Sequence, residues 1–149
     1  MYILFIKKKK IVYFSFLLSK IFLLNSIIFL IGNLGFGKTF FVKSILGFIL
    51  KYRIVIRSPT YSFINYYYFN DIYFYHLDFY RILDDKKFIE IDIINILSNK
   101  FFLFIEWGNS IFNKFFFSNI NIFFFKYQNF FNRFLIIKSY LNDFKFLIG

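Results

Sequence analysis

Cysteine is absent from the sequence, which excludes a disulfide framework and any thiolate metal site. Alanine is absent too, the only proline is Pro59, and no stretch rich in Pro, Gly or Ser could serve as a linker. With 149 residues and no linker, a single domain over residues 1–149 is expected. Only eight residues are acidic, so a site that needs carboxylates must draw on a short list. His76 and Trp107 are each the sole residue of their type.

Phe, Ile, Lys, Asn and Tyr together make up 95 of the 149 residues. All five have codons rich in A and T, so the bias reads as nucleotide composition acting on the protein. That reading discounts two signals. A net charge of +11 would ordinarily point to nucleic acid or an anionic surface, but lysine here also stands where other chains carry arginine, of which there are four. The abundance of apolar residues likewise records Phe in place of smaller side chains.

A membrane reading is invited by Lys7, Lys8, Lys9 and Lys10, followed by the 21-residue run "IVYFSFLLSKIFLLNSIIFLI". Lys20 falls near its middle, where a charge costs roughly 2.5–3.5 kcal/mol on insertion scales, and Asn25 adds a second polar cost. The run also ends at Gly32, inside a phosphate-loop pattern that a soluble sheet must feed. No membrane association is expected, and the lack of cysteine fits a cytoplasmic address.

Along the chain, residues 2–6 suit a short edge strand and "SFLLSKIFLLN" carries helical spacing. "SIIFLIG" reads as a buried parallel strand ending in glycine, and residues 38–50 as a helix. "RIVIRS", "TYSFINYYYF" and "IYFYHLDFY" read as strands, the last two joined by "ND", a hairpin signal. Residues 86–97 suit a helix, "FFLFIEW" a strand, and "NINIFFFKY" with "RFLIIKSY" a closing antiparallel pair. The alternation predicts an α/β fold, a mixed, mostly parallel sheet flanked by helices with an antiparallel hairpin, and the phosphate-loop pattern at residues 32–39 makes that fold P-loop NTPase-like.

Gly32, Gly37, Lys38 and Thr39 satisfy G-x-x-x-x-G-K-[ST]. In that pattern the backbone of Gly32, Asn33, Leu34, Gly35, Phe36, Gly37, Lys38 and Thr39 aims N–H groups at phosphate oxygens, the following helix adds its positive end, Lys38 reaches the β- and γ-phosphates, and Thr39 ligates Mg²⁺. A second acidic group is needed to hold the metal or orient water. Glu106 ends an apolar strand at the edge where open α/β sheets bind ligands, and Asp78 offers the same geometry, although an ion pair with Arg81 would also explain it. His76, two residues earlier, reads as a hydrogen-bonded structural group with a catalytic role as the alternative. Ser58, Pro59 and Thr60 form a rigid polar corner that could sense a γ-phosphate or be a plain turn. Trp107 could flank a nucleotide or face a partner, or simply fill the core.

In their order and spacing, "GNLGFGKTFFVKSIL", "SPTYSF", "YHLDFYRI" and "FIEW" closely resemble the TsaE (YjeE) family of bacterial P-loop ATPases. The four blocks span residues 32–107. The resemblance implies an ATPase, working with TsaD-like and TsaB-like subunits, that resets a complex placing threonylcarbamoyl on an adenosine of tRNA; tRNA is reached indirectly, through that complex. It also implies ATP and Mg²⁺ as cofactors, Thr39 and Glu106 as metal ligands, and Asp78 as support for metal or water. Ser58 and Thr60 then belong to a switch-like loop, and Trp107 borders the nucleotide. Asn33, Phe36, Phe40 and Gly108 depart from the family's pattern, and of these Phe36 must turn away from the phosphates or narrow the cradle.

Two other readings stay open. A small P-loop kinase would normally carry several arginines to clamp phosphates, and a binding subunit would hold nucleotide with little turnover. A signalling GTPase is disfavoured, because N-K-x-D does not occur.

Overall fold

The computed structural model describes residues 10–21, 24–51, 55–80, 92–108, 120–126 and 133–139. Its elements run α1 (Ile11–Ile21), β1 (Ser26–Ile31), α2 (Lys38–Ile49), β2 (Ile64–Phe69), β3 (Ile72–Asp78), α3 (Ile93–Ser98), β4 (Phe101–Glu106), β5 (Ile120–Lys126) and β6 (Arg133–Ser139). The six strands form one sheet in the order β2-β3-β4-β1-β5-β6. Its four central strands are parallel, and β2 and β6 pair antiparallel at the two edges. This is the mixed α/β sheet that the sequence predicts.

Burial on both faces explains the apolar runs. Along β1, Ile28 and Leu30 point to the side covered by α1 and α2, whereas Ile27 and Phe29 point to the side of α3. A strand buried on two faces must be apolar at successive positions, not alternate ones. Helix α2 buries Lys38, Phe41, Val42, Ile45 and Leu46, a stripe at helical spacing. Phe41 meets Phe124 of β5 edge to face at 5.6 Å between ring centroids, and Phe74 stacks on Phe102 at 5.3 Å. Each such fully buried side chain contributes about 1.5–3 kcal/mol relative to exposure.

The β2–β3 hairpin turns on Asn70 and Asp71, both at positive φ (49° and 60°), as a two-residue turn of this kind requires. Residues 55–59 are not a strand, contrary to the reading of "RIVIRS", and β2 begins at Ile64 after a turn over residues 60–62. The physical reason is that backbone groups there are taken by side chains: Arg57 N–H donates to the Tyr67 hydroxyl, and Asn65 Nδ2 donates to Arg57 O. Pro59 supplies no donor of its own. Of the helix expected over residues 86–97, the described part is the short α3, Ile93–Ser98, its N-terminus capped by Asp92 accepting from Asn95 N–H, and residues 86–91 lie outside the described residues. The edge strand expected at residues 2–6 and Arg81 lie outside the described residues. Among those described, no helix is long and apolar enough to cross a membrane.

Candidate phosphate-binding site

Strand β1 delivers the chain to the carboxyl edge of the sheet, where residues 32–37 turn it into α2. Gly32 sits at φ +151°, and a Cβ there would lie 2.7 Å from Phe124 O and 2.9 Å from Phe124 Cβ, so only glycine lets the loop lie against β5. Gly37 adopts a left-handed φ of 104° at the start of α2, which has neither a side-chain cap nor an acid in its first turn. A helix end left in that state suits an anion. Phe36 is half-buried and packs against the core under α1 and α2, away from the cavity at the loop. Its side chain is thus turned away from that cavity.

That cavity, of about 210 Å³, is lined by Leu34, Gly35, Gly37, Lys38, Thr39, Thr60, Asp78, Tyr80, Glu106 and Trp107. Strand register assembles its acids: Asp78 of β3 and Leu30 of β1 flank Glu106 of β4 as direct neighbours. Lys38 is buried, its Nζ donating to Gly32 O at 2.7 Å and Asn33 O at 3.1 Å and lying 4.2 Å from the Trp107 ring centroid. Burial lowers its pKa below the ordinary lysine value, while the charges of Glu106 and Asp78 act to raise it.

Thr39 Oγ1 donates to Glu106 Oε1 at 2.7 Å, and the same oxygen lies 2.9 Å from His76 Nε2. Asp78 is fixed at both oxygens, Oδ2 accepting from Thr60 Oγ1 at 3.0 Å and Oδ1 from Tyr80 N–H at 3.0 Å. Ser58 Oγ lies 2.8 Å from Thr60 Oγ1, which ties the Ser58-Pro59-Thr60 corner to Asp78. Trp107 takes a positive φ of 61° and packs its ring 5.0 Å from that of Tyr80. Sequence reasoning had no role for Tyr80, although its place in "HLDFY" beside Asp78 was available as a signal. Asn33 and Ser58 do not line the cavity themselves; they join it through Lys38 and Thr60.

A larger cavity of about 710 Å³ lies on the α3 side, between the tyrosines of β2–β3 and α3. In its lining Asp92 is bonded to Asn95 N–H, Ser62 to Asn65 and Asn99 to Asn95, and no basic residue lines it among the described residues. The loop cavity is where the chemistry gathers.

A parallel strand that runs through a glycine loop into a helix bearing Lys38 and Thr39, opposite an acid on the neighbouring strand, defines a domain with a P-loop fold. Residues 7–131 match the family model described as threonylcarbamoyl adenosine biosynthesis protein TsaE. The chain belongs to the TsaE family. It is 41% identical over 66 residues to the tRNA threonylcarbamoyladenosine biosynthesis protein TsaE of Borreliella burgdorferi, covering 44% of this chain and 42% of that protein. With the Rickettsia conorii protein of the same name it is 38% identical over 58 residues, 39% of this chain and 33% of the relative. The chain thus spans well under half the length of these curated relatives. The crystal structure of Bacillus subtilis YdiB shares the fold at a TM-score of 0.65 and 18% identity, covering 99% of this chain and 94% of that one.

Proposed function

We propose that the chain binds ATP with Mg²⁺ in the loop of residues 32–39 and hydrolyses it, in the cytoplasm, as a subunit of the machinery that makes threonylcarbamoyladenosine in tRNA. In this reading it works with TsaD-like and TsaB-like proteins, meets tRNA through them, and resets that complex between turnovers. The observation that carries the reading is the pair Thr39 Oγ1 and Glu106 Oε1, 2.7 Å apart in the cavity that Lys38 also lines.

A hydroxyl and a carboxylate, completed by phosphate oxygens and water, form a donor set suited to Mg²⁺, which binds through one or two carboxylates plus substrate phosphates. Thr39 and Glu106 would hold the ion, which when bound would neutralise charge developing on the phosphates. Lys38 exchanges its own loop's carbonyls for phosphate oxygens. Asp78, held at both oxygens by Thr60 and Tyr80, orients the attacking water. The water oxygen bonds to the γ-phosphorus as the bond to the β–γ bridging oxygen breaks, yielding ADP and phosphate, which takes up the proton. The corner of Ser58 and Thr60, hydrogen-bonded to Asp78, is the segment through which the state of the γ-phosphate reaches partners.

The kinase reading is weakened because no arginine lines the cavity among the described residues. A binding subunit with little turnover gains some support from Lys38, which in this structure is satisfied by its own loop and covered by Trp107. Phosphate release assayed for the chain alone, with the two partner subunits, and with tRNA added separates the three. Release confined to the assembled mixture is expected; transfer to a small acceptor supports a kinase, and tight ATP binding without turnover in any mixture supports the binding subunit.

A further inference from the structure

The one imidazole of the chain is fully buried on β3, beside Asp78 and against Glu106. Its Nε2 lies 2.9 Å from Glu106 Oε1. Its Nδ1 is buried with no hydrogen-bond partner, alone in that respect among the described side chains. A buried polar atom without a partner costs about 1–3 kcal/mol. The neighbouring interior positions on this face are Phe74, Phe102 and Phe104, and the chain uses 29 Phe in all. A phenylalanine or leucine would fill such a place without that cost. As a filler the imidazole is a poor choice, and the one thing it does that an apolar ring cannot is hold Glu106.

Glu106 Oε1 has a second partner, the Thr39 hydroxyl. In the proposed ATP-bound state that hydroxyl turns to the ion, and the contact with His76 is what remains on Oε1. Both ends of the contact stand on adjacent central strands, His76 beside Phe104 and Asp78 beside Glu106 in the register. Partners that sit behind a metal-binding carboxylate fix its orientation.

We propose that His76 is a positioning residue: with its proton on Nε2 it holds Glu106 Oε1, leaving Oε2 to the divalent ion beside Thr39. This rests on the proposed Mg²⁺-dependent binding of ATP. The test is the ratio of ATP affinities with and without Mg²⁺, measured by calorimetric titration of the full chain and of His76→Leu, His76→Asn and His76→Gln. A glutamine amide reaches about as far as Nε2, whereas an asparagine amide stops near Nδ1. The ratio falls about tenfold or more in His76→Leu and His76→Asn and is recovered in His76→Gln. A wild-type ratio in His76→Leu, or a loss in His76→Gln equal to that in His76→Asn, overturns the assignment. Should His76→Leu fail to fold, the Asn and Gln variants, one methylene apart, decide alone. A wild-type chain indifferent to Mg²⁺ overturns the proposed function and this role together, and so is told apart from failure of the role alone.

Discussion

Truncating Phe36 tests whether the bulky residue inside the loop obstructs the cradle or anchors it. Its side chain is half-buried against the core beneath α1 and α2 and is not part of the cavity lining. Removing a fully buried phenylalanine side chain costs about 3–5 kcal/mol, so half the contact corresponds to about 1.5–2.5 kcal/mol. At about 2–4 °C per kcal/mol for a chain of this order of size, Phe36→Ala melts about 3–10 °C lower. The loop also loses its only apolar tether to the core among residues 32–37, so ATP affinity falls with stability. Thermal unfolding followed by circular dichroism, paired with ATP titration well below the melting range, reads both. An unchanged melting temperature together with tighter ATP binding would mean that Phe36 faces the phosphates, and the anchoring argument would fail.

Other substitutions separate the parts of the site. Gly32→Ala places a methyl 2.7 Å from Phe124 O, a backbone atom that cannot step aside, and is expected to destabilise by about 1–3 kcal/mol, read as a lower urea midpoint; an unchanged midpoint would show that the loop does not lie against β5. Glu106→Ala should lower the rate of phosphate release in the assembled complex far more than it weakens ATP binding, and intact hydrolysis would remove Glu106 from the metal site. Thr60→Val deletes the hydroxyl that donates to Asp78 Oδ2 and keeps the shape. Turnover should drop about 10- to 150-fold, the worth of one hydrogen bond to a charged group, and an unchanged turnover would leave Asp78 without a role in placing water.

What was legible in the sequence was the part written in local pattern. Apolar runs marked β1 and β4, a stripe at helical spacing marked α2, and Asn70-Asp71 marked the hairpin. The glycine turn of residues 32–37 was legible because its glycines are backbone requirements, visible whatever side chains surround them. The stretch "RIVIRS" misled because its apolar run Ile54-Val55-Ile56 resembles a strand, while Asn65 and Tyr67 occupy the Arg57 backbone groups that a ladder would use. The pairing of His76 with Glu106 joins residues 30 positions apart and depends on β3 lying parallel beside β4, a neighbour relation that no local window contains. The same holds for Phe124 behind Gly32. Phe36 was ambiguous for a different reason: a loop residue's direction is fixed by the backbone turn, which the side chain's identity does not reveal.

The single tryptophan offers the most direct measurement. Trp107 lies under the Lys38 ammonium at 4.2 Å, so a phosphate that draws Lys38 away changes the surroundings of the only indole. Titration of the full chain with ATP and Mg²⁺, followed by tryptophan emission, should give a saturable change in the wild type and none in Lys38→Ala over the same concentrations. No change in the wild type, or the same change at the same concentrations in Lys38→Ala, would contradict the claim that residues 32–39 bind the phosphates of ATP.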